Sequence, residues 1–94
     1  MKMQVVDVRP TNGRKSFGGK AKLIYDNETR AHYLRSYNTI VAGYVKGKMH
    51  RYWDGQSATT SAHLTAFFNG IIGKPMTIKE FYALKCEEAP TLAI

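Results

Sequence analysis

Residues 20–53, KAKLIYDNETRAHYLRSYNTIVAGYVKGKMHRYW, decide the fold. Polar and apolar residues alternate through 20–25 (KAKLIY), the two-residue period of a half-buried strand. Asp26-Asn27 supplies a tight turn into 28–37 (ETRAHYLRSY), and Asn38 marks a second turn before 39–45 (TIVAGYV). Lys46-Gly47 makes a third, its glycine providing the positive φ that short hairpins require. Residues 48–53 (KMHRYW) close the run at Asp54-Gly55. Upstream, the β-branched stretch 4–8 (QVVDV) adds a first strand, stopped by Arg9-Pro10, and 9–20 reads as a basic loop. Turns this short force neighbouring strands to run antiparallel.

The period changes after residue 55. Leu64, Phe67, Phe68, Ile71 and Ile72 fall at helical spacing, and Thr59, Thr60 and Ser61 stand before them as N-caps. Pro75 and the capping box Thr77-Ile78-Lys79-Glu80 open a second helix, with Ile78, Phe81, Tyr82 and Leu84 on its buried side. The tail 87–94 is frayed or extended. The expected fold is α+β, one small domain over residues 1–94. An antiparallel β-meander of four to five strands (1–55) precedes two C-terminal helices (59–86) packed on one sheet face.

Composition narrows the function classes. At 44% apolar and 22% charged residues, the chain belongs with folded proteins rather than disordered ones. Cys86 is the lone cysteine, which rules out an intramolecular disulfide and suits a reducing compartment. No stretch resembles a signal peptide or approaches the ~20 apolar residues of a membrane span. The expectation is a cytoplasmic protein with no membrane contact.

Charge gives the one broad functional hint. Eleven of the 14 Lys and Arg lie in residues 1–53 beside only three acids, a formal +8, while residues 54–94 carry −1. The same half holds five of the six tyrosines and the only tryptophan. With helices over the Ala21, Leu23 and Trp53 side, alternation gives the open side Lys20, Lys22, Arg30, His32, Lys48, His50 and Tyr52. Arg35 and Arg51 fall on the opposite parity and require a bulge or an edge position. A basic face with aromatic rings suits nucleic acid, with phosphates on the cations and a ring for stacking. Arg14 and Lys15 in the loop extend it, with Phe17 or Tyr52 to stack. The same alternation also describes the wet side of any one-sided sheet.

Other motifs point to less. The loop 13–20 (GRKSFGGK) has the wrong spacing for a phosphate loop and leads into a strand rather than a helix. The run 57–63 (SATTSAH) reads as a helix cap, with His63 a hydrogen-bonded boundary residue. His32 and His50, with Glu28 and Arg30, would make an acid–base set for RNA cleavage only if the strands brought them together. His32, His50, His63 and Cys86 lack the paired short spacing of a zinc site, so neither a metal nor any other cofactor is expected.

The stretch 36–42 (SYNTIVA), then Trp53, then 57–67 (SATTSAHLTAF) resembles an uncharacterised family of small bacteriophage and mobile-element proteins. Their pattern is S-Y-x-T-x-V-A, an aromatic, then S-x-T-T-x-x-H-x-x-x-F. The resemblance covers residues 20–70 and carries no activity. It implies a phage-like origin and makes Thr59, Thr60, His63 and Phe67 a structural signature where sheet meets helix. Small phage proteins often act by binding host machinery, defence systems included. The expected function is therefore non-enzymatic: a basic phage-like protein in a bacterial cell that binds nucleic acid through the charged sheet face and loop. The alternative is an accessory or inhibitor protein docking on an acidic host protein, such as a defence or nucleic-acid-handling enzyme. An edge strand at residues 4–8 would let two copies pair as a homodimer.

Overall fold

The computed structural model describes residues 3–10, 17–73 and 75–92. Five strands, β1 (Met3–Asp7), β2 (Ala21–Asp26), β3 (Ala31–Ser36), β4 (Thr39–Val45) and β5 (Lys48–Arg51), form an antiparallel meander in chain order. Helices α1 (Ala58–Gly70) and α2 (Ile78–Tyr82) follow, giving the expected α+β architecture. Both pack on one sheet face. The core joins Leu64, Phe67 and Phe68 of α1 and Phe81 of α2 to Ala21, Leu34, Ala42 and Met49 of the sheet.

Two turns and a bulge set which residues meet that core. Between β2 and β3 the tight Asp26-Asn27 turn is replaced by a four-residue loop, because the paired residues are Asp26 and Ala31. Asp26 holds this loop, its carboxylate accepting from the Glu28 amide at 2.9 Å and its carbonyl from the Arg30 amide at 2.8 Å. The strand thus begins at Ala31, and its register sets His32 opposite Tyr25 and Leu34 opposite Leu23, the reverse of the facing expected for β3. Leu34 and His32 point to the helix side, and Tyr33 and Arg35 to the open side. Between β4 and β5, Lys46 and Gly47 both have positive φ, as a two-residue type I′ hairpin demands.

A bulge in the pairing of β3 with β4 sets the third constraint. Leu34 pairs with Ala42 but Arg35 pairs with Ile40, so Val41 is the extra residue. Val41 and Ala42 are consequently both buried in the core. On the open side Gly43 is flanked by two rings. A Cβ there would lie 2.8 Å from Tyr52 and 2.9 Å from Tyr33, so the close approach needs glycine.

The helix ends differ from the sequence expectation in detail. Ser57, rather than Thr59–Ser61, caps α1, accepting from the Thr60 amide at 3.1 Å, and Thr60 is buried inside the helix. The α1 helix ends before Ile71 and Ile72, which are half-buried beyond it. The capping box of α2 is complete, with Thr77 and Glu80 each accepting the other's backbone amide. The tail is extended at its start: Cys86 bridges Arg51 in parallel, and the Glu87 amide donates to the Arg51 carbonyl at 2.7 Å.

Arg51 is on the helix side and ties these elements together. Its guanidinium donates to the carbonyls of Trp53 (2.9 Å), Tyr82 (2.8 Å), Leu84 (3.2 Å) and Gly55 (3.3 Å), and lies 5.4 Å from the Tyr82 ring centroid. Replacing it leaves several partly buried carbonyls without donors. Arg51→Ala is expected to lower unfolding free energy by about 2–3 kcal/mol, and Arg51→Lys to restore little of it because an ammonium cannot reproduce the planar fork. Chemical denaturation of the two variants measures this, and a fully stable Arg51→Lys would contradict the fork geometry.

Candidate functional site

The strand register lays the open face out in rows. Val5, Ile24, Tyr33, Gly43 and His50 cross the sheet as one row. Asp7, Lys22 and Arg35 form the next, towards the start of β2, and Tyr52 extends it, its amide donating to the Val41 carbonyl at 3.0 Å. Met3, Asp26 and Ala31 lie in the row on the other side, where Lys48 pairs with Val45.

The sequence-predicted residues divide accordingly. Lys22, Lys48, His50 and Tyr52 share the open face as expected. Lys20 precedes β2 and is exposed. Arg30 sits in the β2–β3 loop at φ 59 rather than on the strand. His32 is on the opposite, helix side, its ring centroid 4.7 Å from that of Tyr25. The longer loop accounts for Arg30, and the pairing of His32 with Tyr25 accounts for its side. Arg14 and Lys15 lie outside the described residues. The two histidines weighed for RNA cleavage therefore have the sheet between them. Among the described residues no three His, Cys, Asp or Glu side chains gather as a metal site, and no helix is long and apolar enough to cross a membrane.

Charge on the open face is close to balanced. Lys22 pairs with Asp7, and His50 Nδ1 meets the Glu87 carboxylate at 2.8 Å. The His50 ring stacks parallel to Tyr52 at 6.0 Å, with Tyr33 tilted 6.5 Å from Tyr52 across Gly43. Burial first, then the negative fields of the Tyr33 phenolate and Glu87, push the Tyr52 hydroxyl up to about 12. Burial and Asp26 push Tyr33 upward too, and burial pushes His32 down.

The cations collect instead at one end of the sheet. Arg9, Lys20, Lys22 and Arg35 stand beside the single strand acid Asp7, whereas Arg30, Lys46 and Lys48 at the other end stand beside Asp26 and Glu28. At the first end Lys22 and Arg35 are directly opposite each other. Arg35 also braces the β3–β4 turn, donating to the Tyr37 carbonyl at 3.0 Å and to Asn38 Oδ1 at 2.9 Å.

Beneath that turn lies the junction that the T-T-x-x-H segment pointed to, together with a strand partner that the sequence reading missed. The Ser36 hydroxyl and His63 Nδ1 are hydrogen-bonded at 2.7 Å, and Thr60 Oγ1 is 3.4 Å from Ser36. All three are buried, so the group pins β3 to α1 through polar atoms that have left water. Above it opens a cleft of about 430 Å³ lined by Phe17, Lys20, Tyr37, Thr59, Ala62 and His63. Phe17 meets the His63 ring edge-on at 4.5 Å, Tyr37 is 6.0 Å from it, and Lys20 Nζ is 5.7 Å from the Tyr37 ring centroid.

A family model matches residues 6–82, which include every residue of the Ser36 group and the cationic end from Asp7 to Arg35. The chain belongs to a family of unknown function, DUF8033. No curated protein and no solved structure matches it. Family membership thus brings no activity to the site. The S-Y and T-T-x-x-H segments that carry the sequence resemblance are the ones that meet here: Ser36 and Tyr37 on one side, Thr60 and His63 on the other.

Two measurements test this geometry. Ser36→Ala is expected to cost about 1–3 kcal/mol by removing the buried hydroxyl–imidazole hydrogen bond, and a double-mutant cycle with His63→Phe to show coupling rather than additivity. Tyr52 favours its neutral form in the fold. Its contribution is intact below the ordinary tyrosine value of 10.0 and is lost as pH climbs towards about 12. Denaturation across that window should slope downward in the parent and less steeply in Tyr52→Phe; equal slopes would assign the titration to another group.

Proposed function

We propose that this protein is a non-catalytic nucleic-acid-binding module whose footprint is the cationic end of the sheet. One observation carries the reading: Lys22 and Arg35 occupy directly opposed positions on paired strands, with Lys20 beside them. Like charges placed so are destabilising by roughly 0.2–1 kcal/mol, a cost that a polyanion offsets when its phosphates lie along the row. Asp7 neutralises Lys22 only in part, because the pair is exposed and its ammonium can exchange one oxygen partner for another. Arg35 is held by a carbonyl and an amide oxygen, so its full charge stays available while its position is fixed.

The footprint is narrower than the whole open face, where the acids Asp26 and Glu87 offset Lys48. Tyr52 sits beside the Lys22–Arg35 row and offers a ring edge, but its packing against His50 and Tyr33 makes it part of the platform. A phage-like origin, implied by the sequence resemblance, fits a small basic protein working on nucleic acid in a bacterial cell.

The test is the salt dependence of binding. In mobility shifts with single-stranded and duplex probes at several salt concentrations, the parent should bind at low salt and weaken linearly in log–log form. The double variant Lys20→Ala, Lys22→Ala should lose about 2 from the magnitude of the slope, near 0.9 per phosphate contact for duplex. Lys79→Ala on α2 should leave it unchanged. A parent that shifts no probe at low salt would overturn the reading, and a slope untouched by the double variant would move the footprint elsewhere.

A further inference from the structure

The cleft between the β3–β4 turn and α1 adds a second kind of recognition to the cationic end. Resting on the nucleic-acid reading above, we infer that this cleft receives an unpaired base against the Tyr37 ring, so that the ligand is a single strand rather than a duplex. Among the described residues Tyr37 is one of the few large hydrophobic side chains left exposed, at 51%. Its backbone sits at φ 55, in the left-handed region that bulky residues rarely occupy. Such a conformation persists only where the surroundings over-determine it, and here they do. The Tyr37 amide donates to the Lys20 carbonyl at 2.7 Å, its carbonyl accepts from Arg35 Nε at 3.0 Å, and Arg35 also holds the neighbouring Asn38 side chain.

The strained turn holds an aromatic ring at the mouth of a cleft. Phe17 and the buried His63 ring form its inner wall, Thr59 and Ala62 of α1 its far side, and Lys20 stands over the Tyr37 ring. At about 430 Å³ the space is within the range of small-ligand sites. A flat π-face offset against Tyr37 would be sequence-tolerant, since every base presents one. Lys20 serves both parts, its ammonium near the ring and its position continuous with Lys22 and Arg35, so a strand with a base in the cleft passes its adjacent phosphates along the row. A duplex keeps its bases stacked and paired and has none to insert.

Labelled homothymidine and an abasic strand with the same number of phosphates, together with a duplex, separate the two parts of the site. The parent should bind homothymidine roughly 10-fold or more tightly than the abasic strand, the range expected for one stacked base. Tyr37→Asn removes the ring while keeping a residue that tolerates positive φ; it should erase that preference yet retain the salt slope, and the retained slope shows that the cationic end is still in place. Tyr37→Phe should keep the preference. Equal binding of the two strands by the parent, or a preference that survives Tyr37→Asn, would overturn the inference and leave the cationic footprint standing. A parent that binds none of the probes would remove both.

Discussion

The Arg51 guanidinium is the interaction on which the arrangement depends. A planar fork of donors on the core side of β5 meets carbonyls from the chain leaving the sheet and from the end of α2. Helix α2 has only five residues and cannot persist alone. Its position comes from Phe81 in the core and from Tyr82 and Leu84 fastened to Arg51. The same side chain holds the segment from Trp53 to Gly55, which delivers the chain to the cap of α1. A charge that a purely apolar core would exclude is retained here because backbone oxygens surround it.

With the helices fixed, the polar group Ser36–His63–Thr60 sets the depth at which α1 meets β3. It lies directly below Tyr37, so one local structure both docks a helix and shapes the cleft above it. Arg35 works in the same double way, bracing the turn with neutral acceptors while its charge faces Lys22. In the proposed role, stability and recognition would therefore draw on the same few residues, and substitutions that separate them must preserve the turn.

The order of strands and helices was legible because each rests on local pattern: alternation in 20–25, turn residues at Lys46-Gly47, a complete capping box at Thr77. The facing of β3 was not. Both of its faces mix polar and apolar residues, His32 with Leu34 and Tyr33 with Arg35, so alternation alone cannot choose between them. The choice is made by pairing with β2, which sets His32 opposite Tyr25 and Leu34 opposite Leu23; the four-residue loop displaced Arg30, whereas its two extra residues leave the parity of His32 as a two-residue turn would have set it. The bulge at Val41 was hidden within a run of small apolar residues that suits either side. The odd parity of Arg51 was visible, but its carbonyl partners at Tyr82 and Leu84 lie more than thirty positions away and carry no side-chain signature. Ser36 and His63 are likewise 27 residues apart. The T-T-x-x-H segment suggested a structural junction there; its partner on β3 emerged only from the packing.

The placement of Trp53 has a spectroscopic consequence. The ring lies over Gly55 so closely that a Cβ at that position would fall 2.3 Å from it, and it packs on the core beside the Arg51 fork. As the chain's sole indole, it makes intrinsic emission a native gauge of helix docking. Because Trp53 is not among the cleft residues, its signal tracks melting of the sheet–helix seam rather than events at the cleft.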